Sequence, residues 1–179
     1  MSPVPEILLD VCRNPFLAVG VPIGLGALSG IITGKTARSP WFTEMRAPAG
    51  NPPRQAFGPV WTVLYGLMGY ASHLAVKSLD AAVTPNATAS ANKSLRLYWT
   101  QLGLNLLWTP LFFGAKQKEL ALVDMALLLG TVVSMTIEMH DLRTDFSTTW
   151  LLAPYCAWLG YASYLNAGYV WLNWNRRNV

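Results

Sequence analysis

The stretch LNLLWTPLFFG, residues 104–114, decides the fold. It is apolar enough for a membrane span, yet Asn105, Trp108 and Pro110 sit inside it. Lipid offers an asparagine no hydrogen-bond partner. Proline removes a backbone donor and clashes with the preceding turn. Either the stretch lies outside a bilayer, or these residues face something other than lipid.

Composition favours the second. Hydrophobic residues make up 53% of the 179 and charged residues 12%, about half the usual charged share. Mean hydropathy is +0.31. Eight Trp and seven Tyr suit membrane interfaces and aromatic pockets. The net charge of +4 comes from scattered basic residues, which excludes a nucleic-acid stripe and so nucleic-acid partners. Cys12 and Cys156 are far apart, with no disulfide framework and no metal spacing. Cys156 reads as a small buried hydrophobe. The N-terminus MSPVPEILLDVCR carries Glu6 and Asp10 and lacks a basic n-region, so a cleaved signal peptide is not expected.

A transmembrane helix needs about 20 mostly apolar residues. Five segments qualify: 15–34, 57–79, 95–114, 120–139 and 150–173. The breaks are polar. Residues 35–56 hold Pro40, Pro48, Pro52 and Pro53; 80–94 are rich in Ala, Thr, Asn and Ser; 116–119 form a tight turn; 140–147 are charged. Steady period-2 alternation is missing, which argues against a barrel. The expected fold is all-α: a polytopic membrane protein built as one five-transmembrane-helix bundle across 1–179. Lys35, Arg38, Arg46, Arg54, Lys116, Lys118, Arg176 and Arg177 fall on one side, against Arg13, Lys77, Lys93, Arg96 and Arg143 on the other. That bias favours a cytosolic C-terminus.

Gly20, Gly24, Gly26, Gly30 and Gly34 in the first segment let helices approach closely. They read either as packing inside the monomer or as a homodimer face. The sequons at Asn86 and Asn92 read as chance matches in a polar linker. Asp124, about one turn into the fourth segment, reads as a partner of the helix dipole. An intramembrane acid is also a functional candidate by default. His73, within the second segment, is either structural or an axial haem ligand.

Three segments carry an aromatic face at helical spacing. Trp61, Tyr65, Met68 and Ser72 share one; Asn105, Trp108 and Phe112 share another; Pro154, Trp158, Ala162 and Asn166 share the third. Polar groups in lipid must be satisfied from within the protein, so these faces point inward. Several inward Trp hold helices apart, and an apolar pocket with a few polar anchors is the usual make-up of a small-molecule site. The alternative is that the faces merely pack against one another. No nucleophile–base pair or metal cluster supports conventional catalysis. An odd segment count without an internal repeat argues against a secondary transporter.

The segments PWFTEMRAPAGNPP (40–53), FGPVWTVLYGLMGYA (57–71), LNLLWTPLFFGAKQKELALVDMALL (104–128) and APYCAWLGYASYLN (153–166) resemble the translocator protein family, also called tryptophan-rich sensory proteins or peripheral-type benzodiazepine receptors. The resemblance covers about residues 15–175. It implies a five-helix membrane bundle with a ligand cavity under a lid, the first long loop. It implies porphyrins, haem, sterols and synthetic benzodiazepine-type compounds as ligands, with no cofactor required. The implied pocket comprises Trp61, Tyr65, Asn105, Trp108, Phe112, Trp158 and Ala162, with Pro52 and Pro53 in the lid. Some bacterial relatives are credited with light-dependent porphyrin breakdown, which implies Trp as the reactive group. The implied locations are the mitochondrial outer membrane, the endoplasmic reticulum, or the cell envelope in bacteria. Two departures stand out. Gly50 replaces an aromatic in the lid, which bears on lid closure. The sterol motif after Asn166 fits only in its first half, Leu165 and Tyr169, because Arg176 comes one residue too late.

Overall fold

The structure is a computed structural model and describes residues 4–175. Arg176 and Arg177 of the charge comparison and the sterol motif lie outside the described residues. Among these, seven α-helices form and no strand. They are α1 (Glu6–Arg13), α2 (Pro15–Thr36), α3 (Pro40–Thr43), α4 (Arg54–Asp80), α5 (Pro85–Thr109), α6 (Lys118–His140) and α7 (Thr148–Leu172). A five-residue π-helical turn, Pro110–Gly114, extends α5.

The described residues thus hold seven α-helices where the sequence led to the expectation of five spanning ones. α2, α4, α5, α6 and α7, each 22 to 27 residues long, match the five apolar segments. The two short helices were not expected. α1 is amphipathic over only eight residues, with Leu9 and Cys12 buried. The second break is also corrected: most of 80–94 is helical. Pro85 stands at the first position of α5, where its missing N–H costs nothing, and the Thr84 hydroxyl accepts from the Ala87 amide at 3.2 Å. Asn86 and Asn92 consequently sit on a helix, and the Asn92 amide donates back to the Thr88 carbonyl. Asn14 caps α2 likewise, accepting from Phe16 and Leu17.

α4 stands at the centre, against α1, α2, α5 and α7, while α6 packs between α5 and α7. The core runs through Leu64, Met68, Tyr98, Met125, Leu128, Leu152, Tyr155 and Leu159. α1 lies against the far end of α4, where the Arg13 guanidinium forks onto both Asp80 carboxylate oxygens at 3.0 and 3.1 Å.

The glycines of α2 divide. A Cβ on Gly26 would collide with the Tyr65 ring, but Gly20, Gly24, Gly30 and Gly34 face open space. Packing inside the monomer thus explains one of the five. The closest approach of α2 and α4 comes from α4, where a Cβ on Gly69 would overlap the Ala18 carbonyl. Asp124 is also revised. It is the seventh residue of α6, and the dipole effect is spent within the first turn. Glu119 holds the first-turn position instead.

Candidate functional site

Two aromatic clusters occupy the interior on the α3 side. In the first, Trp61 lies edge-on to Trp158 (6.5 Å, 89°) and to Tyr155 (6.1 Å), and beside Tyr65 at 5.5 Å. Phe57 and Tyr161 complete the wall around Trp158. In the second, Trp108 stacks on Phe112 at 5.0 Å and 20°, with Phe113 and Tyr169 beside them. Edge-to-face and offset geometry is what ring quadrupoles favour.

The three mid-span tryptophans do not form a single face. Trp61 and Trp158 meet, whereas Trp108 turns to the second cluster, where its indole N–H donates to Asn166 Oδ1 at 2.9 Å. The Asn166 amide in turn donates to the Lys118 carbonyl. Ala162 is half-buried against the first cluster's core. Pro154, expected inward, is exposed, and the buried stripe of α7 passes instead through Leu152, Tyr155 and Leu159.

Below the first cluster runs a buried polar chain. The Tyr65 hydroxyl donates to Asn105 Oδ1, and Asn105 Nδ2 donates to the Tyr155 hydroxyl at 2.7 Å. That hydroxyl donates to Gln101 Oε1 at 2.9 Å, and Gln101 Nε2 approaches Met68 Sδ at 3.4 Å. Asn105 is thereby satisfied inside the protein, as an asparagine in an apolar interior must be. Tyr155 and Gln101 were not singled out in the sequence. Their signal was faint: a glutamine one turn before Asn105 and a tyrosine one turn before Trp158.

The loop expected to act as a lid, 35–56, is fastened at two places. α3 inserts Trp41 and Phe42 against Phe112, Phe113 and Tyr169. The following turn lies along α7. Asn173 Oδ1 accepts from the Arg46 amide at 2.9 Å, and Asn173 Nδ2 donates to the Arg46 carbonyl at 3.0 Å. Pro48 fills a notch at Gly168, where a Cβ would come within 2.6 Å. The Tyr164 and Tyr161 hydroxyls donate to the Ala49 and Gly50 carbonyls. Pro52 is half-buried, and exposed Pro53 precedes the first turn of α4.

Gly50, the position where the sequence departs from the family's aromatic, lies in the turn fastened to α7. It adopts φ +76°, a left-handed conformation natural to glycine. Gly50→Val is expected to strain this turn by about 1–3 kcal/mol and to loosen the lid. Limited proteolysis should then cut 44–52 faster than in the wild type; equal cutting rates would refute the role given to Gly50.

One polar atom of the first cluster stands out. The Trp158 Nε1 is buried and has no acceptor. Asp124, 5% exposed, likewise has an unpartnered Oδ2. On the outer side of α7, a groove of about 910 Å³ runs between Pro48 and Ala49 of the lid, Leu122 of α6, and Trp171.

A bundle with a tryptophan-lined interior and a proline-rich lid latched to its last helix defines a class of lidded, tryptophan-rich helical proteins. The chain belongs to the TspO/MBR family, whose model matches residues 18–172. It is 40% identical over 168 residues to the translocator protein homolog of Schizosaccharomyces pombe, covering 94% of this chain and 97% of that one. It is 39% identical over 126 residues to the human translocator protein, covering 70% of each. It is 34% identical over 157 residues to the tryptophan-rich protein TspO of Chlorobaculum tepidum, covering 88% of this chain and 94% of that one.

Proposed function

We propose that all five long helices cross a bilayer and that the lid side binds flat hydrophobic ligands, tetrapyrroles (porphyrin, haem) first and sterols second, as a carrier or sensor. Two helices, α2 and α6, are long and apolar enough to span by length and composition. α7 adds an aromatic marker at each end. Trp150 and Trp171 are 74% and 81% exposed. They are separated by about 31 Å at 1.5 Å per residue, close to the roughly 30 Å of a hydrocarbon core. Trp rings prefer those two interfaces. α6 turns Leu120, Val123, Leu127 and Ile137 outward.

The observation that carries the ligand reading is the Trp158 indole N–H, buried without an acceptor among the rings of Phe57, Trp61 and Tyr161. An orphaned buried donor costs about 1–3 kcal/mol. A flat ligand with a carboxylate, hydroxyl or ring-nitrogen acceptor would relieve that cost while stacking on the rings. The neighbouring Tyr161 hydroxyl holds the lid, so entry there requires lid movement.

Quenching of Trp fluorescence by protoporphyrin, haem and cholesterol, in detergent, tests this. Trp158→Phe keeps an aromatic wall and removes the donor. Its affinity for protoporphyrin is expected to fall about tenfold, or about 1.4 kcal/mol. Absence of saturable quenching by all three ligands would sink the reading. A second reading, light-driven porphyrin breakdown, is favoured by the contact of Trp61 and Trp158 beside two hydrogen-bonded tyrosines. It requires porphyrin to decay under light faster with this protein than with Trp61→Phe/Trp158→Phe.

A further inference from the structure

The two ends of the bundle carry their charges differently. At the end away from the lid, bases are paired: Arg13 with Asp80, Lys77 with Asp145 and Lys93 with Glu138. At the lid end, six described bases stand against two acids, Glu44 and Glu119. Glu119 pairs with the buried Lys118 at 2.9 Å. The other five bases are Lys35 in the last turn of α2, Arg38 and Arg46 in the lid loop, Arg54 at the start of α4, and Lys116 after the π-helical turn. Among the described residues none of these five side chains makes an ion pair. Lys116 is half-buried and the rest are exposed. Two of them lie over rings of the lid. Lys116, at φ +59°, sets its ammonium 5.9 Å from the Trp41 ring centroid, and the Arg54 guanidinium lies 5.7 Å from that of Phe42. A ring face attracts a cation but does not neutralise its charge.

The level of these groups along the bundle selects the partner. Leu28 and Ile31 of α2 are 61% and 70% exposed, which suits hydrocarbon. Lys35 lies four residues beyond Ile31, about 6 Å at 1.5 Å per residue. A bilayer is about 40–45 Å thick with its headgroups and about 30 Å without, so each headgroup layer is about 5–8 Å deep. Beside the Asn173 latch on Arg46, Trp171 and Trp174 are 81% and 70% exposed, and such rings prefer that layer. The unpaired bases thus stand where lipid phosphates stand. An acidic protein would have to reach them through those phosphates.

We infer that the lid end is a docking surface for anionic phospholipids, with Arg38 and Arg46 of the lid and Lys35, Arg54 and Lys116 of the helices as the headgroup contacts. The inference rests on the reading of the long helices as membrane spans. Basic clusters of this size next to a span favour anionic lipid, whose phosphate no choline offsets, and guanidinium forks fit phosphate oxygens. The bases sit on the loop and on the helices it joins, so one anionic layer engages both together.

The test reconstitutes the full chain into phosphatidylcholine vesicles holding a small share of dansyl-labelled phosphatidylglycerol or dansyl-labelled phosphatidylcholine. Energy transfer from Trp reports which lipid neighbours the protein. Transfer to the anionic probe is expected to exceed transfer to the neutral one by about threefold or more, and to fall with salt. Arg38→Gln/Arg46→Gln should lose much of that preference, and Lys35→Gln/Arg54→Gln/Lys116→Gln likewise. Arg38→Lys/Arg46→Lys keeps the charges and should keep the preference. Lys93→Gln/Arg143→Gln removes two charges from the opposite end and should also keep it. Circular dichroism checks the fold of each variant. Equal transfer to both probes in the wild type overturns the inference. So does an equal loss in the lid pair and the opposite-end pair, which would reduce the effect to net charge. Failure of the wild type to stay with the vesicles on flotation after an alkaline wash overturns the spanning reading and this inference with it. Retention without lipid preference overturns this inference alone.

Discussion

Gly69→Leu is expected to abolish the folded state. At Gly69 the backbones of α2 and α4 touch: a Cβ there would overlap the carbonyl oxygen of Ala18 and come within 3.0 Å of the Val19 Cα. These are main-chain atoms of a helix and cannot swing aside. A leucine must push α2 off α4 along its length. Ile23 would leave Gly66, Tyr65 would leave Gly26, and the Cys12 carbonyl would leave His73. Overpacking alone costs about 1–3 kcal/mol, and a displaced helix adds lost contacts. The sum exceeds about 4 kcal/mol, the range of exceptional substitutions. The measurement is recovery of monodisperse protein in detergent and its thermal midpoint by circular dichroism. Gly20→Leu is the control, because a Cβ at Gly20 meets nothing. Equal midpoints for Gly69→Leu and the wild type would show that the helices do not meet as described.

Asn105→Ala is expected to lower stability by about 3 kcal/mol, with orphaned buried groups costing about 1–3 kcal/mol each. The substitution removes the acceptor of the Tyr65 hydroxyl and the donor to the Tyr155 hydroxyl. Between helices in lipid such bonds are worth about 0.6–2 kcal/mol apiece, and the truncation also leaves a cavity. Tyr65 supports Trp61 by ring contact, so protoporphyrin affinity should fall with stability. A double-mutant cycle separates packing from hydrogen bonding. If the bond matters, Tyr65→Phe should cost less in the Asn105→Ala background than in the wild type, by about 1 kcal/mol. Strict additivity would mean the two side chains do not act together.

The apolar runs of the long helices are legible in the sequence because polar, proline-bearing breaks separate them. Their faces are harder to read. In α7, apolar side chains surround the helix, so periodicity marks no preferred side. Pro154 was expected inward for that reason, while the buried line runs through Tyr155. The face of α4 is clearer, since Tyr65, Met68 and Ser72 are all buried as their spacing indicates. α1 and α3 escape notice because eight and four residues hold too few turns to show a period. The latch of Asn173 on Arg46 joins residues 127 positions apart. No local pattern announces such a pairing; only the closed chain brings the two together.

The π-helical turn at Pro110–Gly114 also governs how the chain tolerates changes in length. Its wider loop, closed by the Ala115 amide on the Pro110 carbonyl at 2.7 Å, holds one residue more than an α-turn would. Each residue of an α-helix advances the azimuth by about 100°. Losing one residue here would let the helix close regularly, at the cost of turning everything upstream by about that angle relative to Phe112 and Phe113. Asn105 would then swing away from Tyr65 and Tyr155, and Trp108 away from Asn166. The same five residues would absorb a length change with little loss of helix, yet translate it into a rotation of the whole inner face.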